Sequence, residues 1–282
     1  MGIPLVSYKS IDPCFLEGST INHIIQYVDD PHDPRLTVFS ERKDHILRQQ
    51  QLIIVDSDKV VLRMMEGGYR ILKLLLTQRF LRVLEAGHWQ LAPDVEIYLG
   101  DKPVVESIVG HRIHHGVIAL AERPVDFPLA DLGNKLVILN GVISSENIGA
   151  IARSCHAFGF TGLIADQYSC SPWVRRSIRV SMGSVFSLKM HHTGHLLQVI
   201  ANLRQHGFAI YGSGIVPQSV SSKGFVPQEK FAFILGSEGE GMQQEIMDAC
   251  DLMLQIPVHT GIDSLNVSVA SGILLYELGC RK

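Results

Sequence analysis

Residues 256–278 decide the fold, and they read IPVHTGIDSLNVSVASGILLYEL. The apolar run over residues 252–256 predicts a strand, and Pro257 ends it because proline has no N–H to donate to a sheet. Gly261 permits a turn, and a helix is predicted to begin at Ser264-Leu265-Asn266. Serine and asparagine often cap a helix. In an α/β domain, however, ligands also bind just after strands. A plain cap and a ligand-binding role therefore both remain open for these residues.

The composition indicates a folded protein with a substantial core. The chain has 282 residues, of which 46% are hydrophobic and 19% charged, and this length is typical of about two domains. A net charge of -3 gives no global basic field, although basic groups could still cluster on one face. The five cysteines lack CxxC spacing and are interpreted as reduced thiols, with no metal site. Since no signal sequence or membrane span is found, we expect a cytoplasmic protein without a membrane partner.

Strand and helix patterns alternate along the chain, so we predict an α/β fold. Residues 1–122 read as an N-terminal extension followed by a small α/β domain, residues 123–134 as a linker, and residues 135–282 as a second α/β domain. Helices between successive strands indicate a parallel sheet in this second domain. Its predicted strands cover residues 136–139, 162–165, 187–189, 209–211, 231–235 and 252–256. Its predicted helices before the last one cover residues 148–158, 173–181, 194–206 and 242–250.

Polar and glycine-rich loops follow several of these strands. Asn147 and Arg153 come after the first strand, where the simplest interpretation is a helix cap followed by a surface arginine. The loop from Gly236 to Met242, which includes Glu238, follows a later strand, and a tight strand-to-helix turn would also use it. Because the carboxyl ends of parallel strands lie at one edge of a sheet, we expect these loops to gather there.

Three segments, in this order, resemble the SpoU (TrmH-like) branch of the SPOUT RNA methyltransferases. They are NGVISSENIGAIARSCHAFG at residues 140–159, FAFILGSEGEGM at residues 231–242, and the stretch at residues 256–278. Residues 30–122 resemble, more loosely, the substrate-binding domain of many members. The resemblance implies a parallel sheet with a C-terminal deep trefoil knot, S-adenosylmethionine (S-adenosyl-L-methionine) as cofactor, and a homodimer. It also implies methyl transfer to a ribose 2′-OH of tRNA or rRNA.

The same resemblance assigns the site residues. It gives catalytic roles to Asn147, Arg153, Glu238, Ser264 and Asn266. The positions that hold the cofactor are Gly212, Ser213, Gly236, Ile256 and Leu265. The family often has Asp-Pro before the position of Asn147, whereas this chain has Ser145-Glu146.

The implied chemistry suits these side chains, because a ribose hydroxyl needs in-line positioning and help in losing its proton. Arg153 could grip a phosphate through its planar fork. Its role as a base is harder to explain, since arginine is effectively always protonated, so both roles stay open. A non-catalytic RNA-binding or assembly protein is the alternative function. A dinucleotide-binding enzyme is disfavoured because the chain lacks the GxGxxG fingerprint.

Overall fold

The computed structural model describes residues 23–41, 43–87, 91–113, 116–237, 239, 241–259 and 265–280. The chain divides into two compact units, Met1–Pro124 and Val125–Lys282. In the described residues, no helix combines the length and the apolar character that crossing a bilayer requires.

The first unit contains a mixed sheet with helices between its strands. In sheet order its strands are β1, β4, β3, β5 and β2, and β5 runs antiparallel to both of its neighbours. The strands are β1 (Ile25–Val28), β2 (Leu52–Asp56), β3 (Ile71–Leu76), β4 (Glu96–Gly100) and β5 (Val117–Glu122). The helices are α1 (Asp44–Gln49), α2 (Asp58–Glu66), α3 (Gln78–Ala86) and α4 (Lys102–Val109), and a 3₁₀ helix covers Pro34–Ser40.

The second unit contains a parallel sheet, as predicted. In the part of the chain that the structure describes, its strand order is β10, β12, β9, β11, β6, β7 and β8, and every pair is parallel. The strands are β6 (Lys135–Asn140), β7 (Gly162–Asp166), β8 (Lys189–Thr193), β9 (Ala209–Ser213), β10 (Val220–Ser221), β11 (Phe231–Gly236) and β12 (Leu252–Gln255). The helices are α5 (Ser145–Ala157), α6 (Arg175–Val180), α7 (Leu196–Gln205), α8 (Gln244–Asp248) and α9 (Val267–Gly279).

The middle strands of the second sheet are apolar on both faces. Every residue of β11 and β7 is buried, and in β6 only Lys135 is less than fully buried. Continuous apolar runs of this kind are expected where helices cover both faces of a parallel sheet. The order of the strands brings the carboxyl ends of β6, β7 and β11 to one edge. The trefoil knot stays a prediction.

Two element predictions were wrong in this unit. Residues 187–189 were predicted as a strand, but a 3₁₀ helix covers Ser184–Ser187 and the strand β8 begins at Lys189. Gly183 takes a φ of 82° and turns the chain there, so the apolar side chains of Val185 and Phe186 are buried without joining the sheet. The helix predicted over residues 242–250 is shorter than expected. The structure shows α8 only over Gln244–Asp248, because Gln243, with a φ of -58° and a ψ of 142°, is not helical and is the N-cap residue.

Candidate active site

The loop from β6 to α5 is held by a capped helix start. Ser144 is the N-cap of α5, and its Oγ accepts a hydrogen bond from the Asn147 N–H at 3.4 Å. The prediction that Asn147 caps this helix is therefore wrong, because the chain enters the helix three residues earlier. Asn147 instead lies within the first turn and is buried, with 8% of its surface exposed. The Asn147 side chain therefore does not cap the helix and can contact other residues or a ligand at the site.

Asn147 and Asn266 bring the first and third motifs together. The Asn266 Nδ2 donates to the Asn147 Oδ1 at 3.3 Å across a separation of 119 positions. Asn266 is also the N-cap of α9, where its Oδ1 accepts from the N–H groups of Ser268 and Val269 at 2.9 and 3.3 Å. The side-chain amide of Asn266 thus acts as a helix cap and as a link between two motifs. Glu238 and Ser264, the other predicted polar positions of the later motifs, lie outside the described residues.

A buried carboxylate organises the ends of β6 and β7. Asp166 is 4% exposed, and its carboxylate accepts hydrogen bonds from the Asn140 Nδ2 at 2.9 Å and from the Gly141 N–H at 3.1 Å. It also accepts from the N–H and the Oγ of Ser169, at 2.8 and 2.7 Å. Such charge-assisted hydrogen bonds stabilise a carboxylate away from water. The same network reaches the residue directly after the second motif, because the Asn140 Oδ1 accepts from the Gln243 N–H at 3.1 Å.

The glycine-rich loop after β11 folds back tightly on itself. The Ser237 N–H donates to the Gly241 carbonyl at 3.0 Å. A Cβ on Gly236 would lie 2.6 Å from the Met242 nitrogen, so a side chain cannot fit there. Gly241 has a φ of 73°, in the left-handed region that glycine adopts without strain. Close approach of backbone to backbone is therefore built into this loop.

One cavity at this edge is lined by the ends of β9, β11 and β12 together with the start of α9. Its volume is about 360 Å³, within the usual range for small-molecule sites. Four of the five predicted cofactor positions line it, namely Ser213, Gly236, Ile256 and Leu265. Gly212 does not line it. A Cβ there would lie 2.5 Å from the Met253 sulfur and 2.9 Å from the Cys250 sulfur, so packing within the core accounts for this glycine.

The second cavity lies beside the first and contains the first motif. Its volume is about 790 Å³, and Asn140, Ser144 and Asn147 are among its lining residues. The two cavities share one wall, made of Ser237, Gly239, Gly241, Met242 and Val267. Two molecules bound in these cavities would lie next to each other along the glycine-rich loop. This geometry suits the transfer of a small group from one bound molecule to another.

Arg153 lies apart from both cavities. It is exposed on α5, six residues after Asn147, and is not one of the lining residues of either cavity. An exposed guanidinium at this position is accessible to a large polyanionic ligand. Within the described residues, no group of three or more His, Cys, Asp or Glu side chains could hold a metal ion.

Sequence reasoning missed two residues at this edge, Asp166 and Tyr168. Asp166 is the last residue of β7, which neighbours β6 in the sheet, and Tyr168 follows it in the loop. Tyr168 lines the second cavity. The rule that polar loops after parallel strands gather at one edge could have identified both. Both residues lie outside the three motifs.

Comparisons with known proteins point to one group of enzymes. A model of the SpoU rRNA Methylase family matches residues 134–276. An uncharacterized tRNA/rRNA methyltransferase of Mycobacterium tuberculosis is 27% identical over 267 residues, covering 90% of this chain and 91% of that protein. The 23S rRNA (guanosine-2′-O-)-methyltransferase RlmB of Coxiella burnetii is 34% identical over 146 residues, covering 51% and 57%.

Solved structures share the fold. The AdoMet-bound rRNA methyltransferase from Sinorhizobium meliloti superposes with a TM-score of 0.78 at 21% identity, covering 90% of this chain and 97% of that one. An RNA methyltransferase of the TrmH family from Porphyromonas gingivalis, described as putative, gives a TM-score of 0.76 at 22% identity, covering 89% and 97%. At these identities the likeness concerns the fold alone.

Proposed function

The chain belongs to the SpoU rRNA methylase family, and we propose that it transfers a methyl group from S-adenosylmethionine to a ribose 2′-OH of tRNA or rRNA. Membership of this family of RNA methyltransferases confirms the resemblance drawn from the three motifs. The finer activity is our proposal. The observation that carries it is the pair of cavities that share the glycine-rich wall.

The first cavity fits the proposed cofactor. Leu235, Leu254 and Leu274 offer apolar contacts for a purine ring. Small residues, among them Gly214, Gly236 and Ala270, keep the space open. The backbone at Ser213, Gly236, Ile256 and Leu265 would meet the polar parts of the cofactor. When bound, S-adenosylmethionine supplies a methyl group on a positively charged sulfur.

The second cavity would receive the nucleotide to be methylated. Asn147 lines it, and the hydrogen bond from Asn266 to the Asn147 Oδ1 leaves the Asn147 Nδ2 available to donate to a ribose oxygen. Fixing the hydroxyl in line with the methyl group supplies a large part of catalysis when both molecules are held rigidly. Glu238 and Ser264 keep the catalytic roles predicted for them.

We propose that Arg153 is essential because it binds a phosphate of the RNA substrate. Its planar guanidinium matches phosphate geometry and can make two parallel hydrogen bonds to it. Because arginine is effectively always protonated, a phosphate clamp demands less of this side chain than the role of a base. The clamp would hold the target strand while the asparagine pair positions the ribose.

The test is calorimetric titration of the purified protein with S-adenosylmethionine and with its demethylated product. RNA from a strain lacking the protein is then offered as methyl acceptor and digested to identify the methylated nucleoside. We expect binding of both compounds and a 2′-O-methylated nucleoside. Binding of neither by the folded protein would overturn the proposal and favour the non-catalytic RNA-binding function.

A pair of variants tests whether the cofactor binds in the first cavity. Ala270 lines that cavity, so Ala270→Leu fills part of it and should weaken cofactor binding by about fivefold or more, since overpacking a site costs about 1–3 kcal/mol. Ala201 is exposed on α7, away from both cavities, so Ala201→Leu is the matched control and should bind as the wild type does. Equal affinity of the two variants would place the cofactor elsewhere.

A further inference from the structure

Tyr168 is an exposed aromatic ring at the tip of a well-ordered turn. The turn follows β7, and 59% of the tyrosine is exposed. The Asp166 carbonyl accepts from the Ser169 N–H at 3.3 Å, and the Asp166 carboxylate accepts from the same N–H and from the Ser169 Oγ. The buried Asp166 also holds the neighbouring loop through Gly141. The backbone that presents the ring is therefore fixed before any ligand arrives, which lowers the entropic cost of binding.

A second exposed apolar side chain lines the same cavity. Ile143 belongs to the loop between β6 and α5 and is 78% exposed. It and Tyr168 both line the cavity of about 790 Å³ that also contains Asn147. The two side chains come from different loops, and the turn at Asp166 connects those loops. An aromatic ring and a branched aliphatic side chain at one cavity suit a flat ligand with an apolar face.

The positions of the neighbouring cavities indicate which part of a bound nucleotide Tyr168 would contact. Tyr168 also lines a smaller cavity of about 370 Å³, together with Gln167 and His195. That smaller cavity has no lining residue in common with the proposed cofactor cavity, whereas the larger one shares a wall with it. The ribose that receives the methyl group has to lie at the shared wall, next to the cofactor. The base attached to this ribose would then lie in the larger cavity.

We propose that Tyr168 stacks on the base of the nucleotide whose ribose is methylated, and that Ile143 packs against the same nucleotide. This inference rests on the proposed function and identifies the part of the substrate that the larger cavity holds. Stacking on an aromatic side chain tolerates any base, because every base has a π-face. Tyr168 would then fix the position of the target nucleotide. Other residues would recognise the sequence of the RNA.

The experiment compares Tyr168→Leu, Tyr168→Phe and Tyr168→Trp with the wild type. RNA from a strain lacking the protein is the probe, and RNA affinity, kcat/KM for methyl transfer and cofactor affinity are measured. Alanine substitution at stacking aromatics usually costs 1–3 kcal/mol per base, so Tyr168→Leu should lower RNA affinity or kcat/KM between about fivefold and about a hundredfold. Tyr168→Phe and Tyr168→Trp keep a ring and should stay within about threefold of the wild type. Cofactor affinity should be unchanged in all of them.

Gln167→Ala is the matched control, since Gln167 neighbours Tyr168 on the same turn and lines only the smaller cavity. It should behave as the wild type does. A Tyr168→Leu variant with wild-type RNA affinity and kcat/KM would overturn the stacking proposal. A Tyr168→Phe variant as poor as Tyr168→Leu would also overturn it, because the hydroxyl would then be the important group.

The outcomes separate this inference from the proposed function. If the wild type binds RNA without methylating it, the proposed function fails, and the ratio of RNA affinities then decides only whether Tyr168 stacks on a base of the bound RNA. If the wild type methylates RNA and Tyr168→Leu does so equally well, the stacking fails alone. Failure of the wild type to bind RNA at all would overturn both.

Discussion

At the scale of single residues, Asn266 combines a structural role with a role in the site. Its Oδ1 accepts from two N–H groups at the start of α9, while its Nδ2 donates to Asn147. The cap and the site role, which the sequence left as alternatives, therefore occur in one side chain. The cap fixes the amide so that only one orientation of its donor reaches Asn147. A substitution that keeps the acceptor and removes the donor should separate the two roles.

Asn266→Asp is that substitution. A carboxylate still accepts from the Ser268 and Val269 N–H groups and is well placed at a helix N-terminus, so the melting temperature should change little. Loss of the donor to Asn147 should reduce kcat for methyl transfer by about tenfold to a hundredfold, the range expected for a slightly misplaced catalytic group. Thermal unfolding and single-turnover kinetics check the two parts. Asn202→Asp, at an exposed position on α7, is the control and should leave both unchanged.

Arg153→Ala should abolish methyl transfer, lowering its rate by at least about a hundredfold if the side chain stabilises charge on the RNA. Cofactor affinity and unfolding should be unaffected, because Arg153 is exposed and lines neither cavity. Methyl transfer and calorimetry measure these effects. Arg204→Ala, at an exposed arginine that pairs with Asp251, serves as the control. Loss of cofactor binding in Arg153→Ala would contradict the assignment.

Asp166→Asn should destabilise the protein by about 1–3 kcal/mol, since an amide cannot accept all of the hydrogen bonds that converge on this buried carboxylate. Urea unfolding monitored by circular dichroism gives the free energy of unfolding. Asp248→Asn is the comparison, because Asp248 is exposed and accepts a single hydrogen bond from Gln244 at 2.7 Å. A similar small effect for both variants would mean that the network around Asp166 contributes little.

At the scale of elements, the packing of α5 against α6 depends on a glycine within a helix. A Cβ on Gly149 would lie 2.7 Å from the Ser177 carbonyl oxygen and 2.8 Å from the Val180 Cβ. The Ser177 Oγ also donates to the Ser145 carbonyl at 2.9 Å, which joins α6 to the first turn of α5. Glycine weakens a helix by about 1 kcal/mol relative to alanine. The close approach of the two helices accounts for its presence here.

Gly149→Ala should therefore lower the free energy of unfolding by about 1–3 kcal/mol, as overpacking does, despite the better helix propensity of alanine. The matched variant is Gly272→Ala in α9, where a Cβ would meet only the Ser154 Oγ, at 3.9 Å. That variant should be neutral or slightly stabilising. Urea unfolding of both proteins at one concentration provides the measurement. Equal effects at the two glycines would disprove the argument from close packing.

At the scale of the whole molecule, α9 presents an apolar face that we propose to be the contact between two copies of the chain. Val269, Ile273 and Tyr276 are 53%, 39% and 56% exposed. Their spacing of four and three residues places them on one side of the helix. Exposed apolar groups aligned in this way often mark a contact surface. A dimer formed here would bury them beside the start of α9, which carries Asn266.

Light scattering at micromolar concentration should give the mass of a dimer. Ile273→Asp should shift the protein towards the monomer, because a charge buried at an apolar contact without a partner is strongly unfavourable. Val226→Asp is the control, since Val226 is 76% exposed and lies outside α9. A wild-type protein that is monomeric at this concentration would refute the proposal. Equal dissociation by both variants would refute the assignment to α9.

The sequence by itself determined the α/β class, the parallel sheet and the loops that hold the candidate site. Apolar runs such as those of β6 and β11 dictate buried parallel strands wherever helices alternate with them. Only the tertiary structure decided which side chains of those loops meet. Asn147 contacts Asn266, and Asn140 contacts both Asp166 and Gln243, across separations of 26 to 119 positions. Such contacts depend on strand order and on where each helix begins, and local sequence patterns do not specify either one.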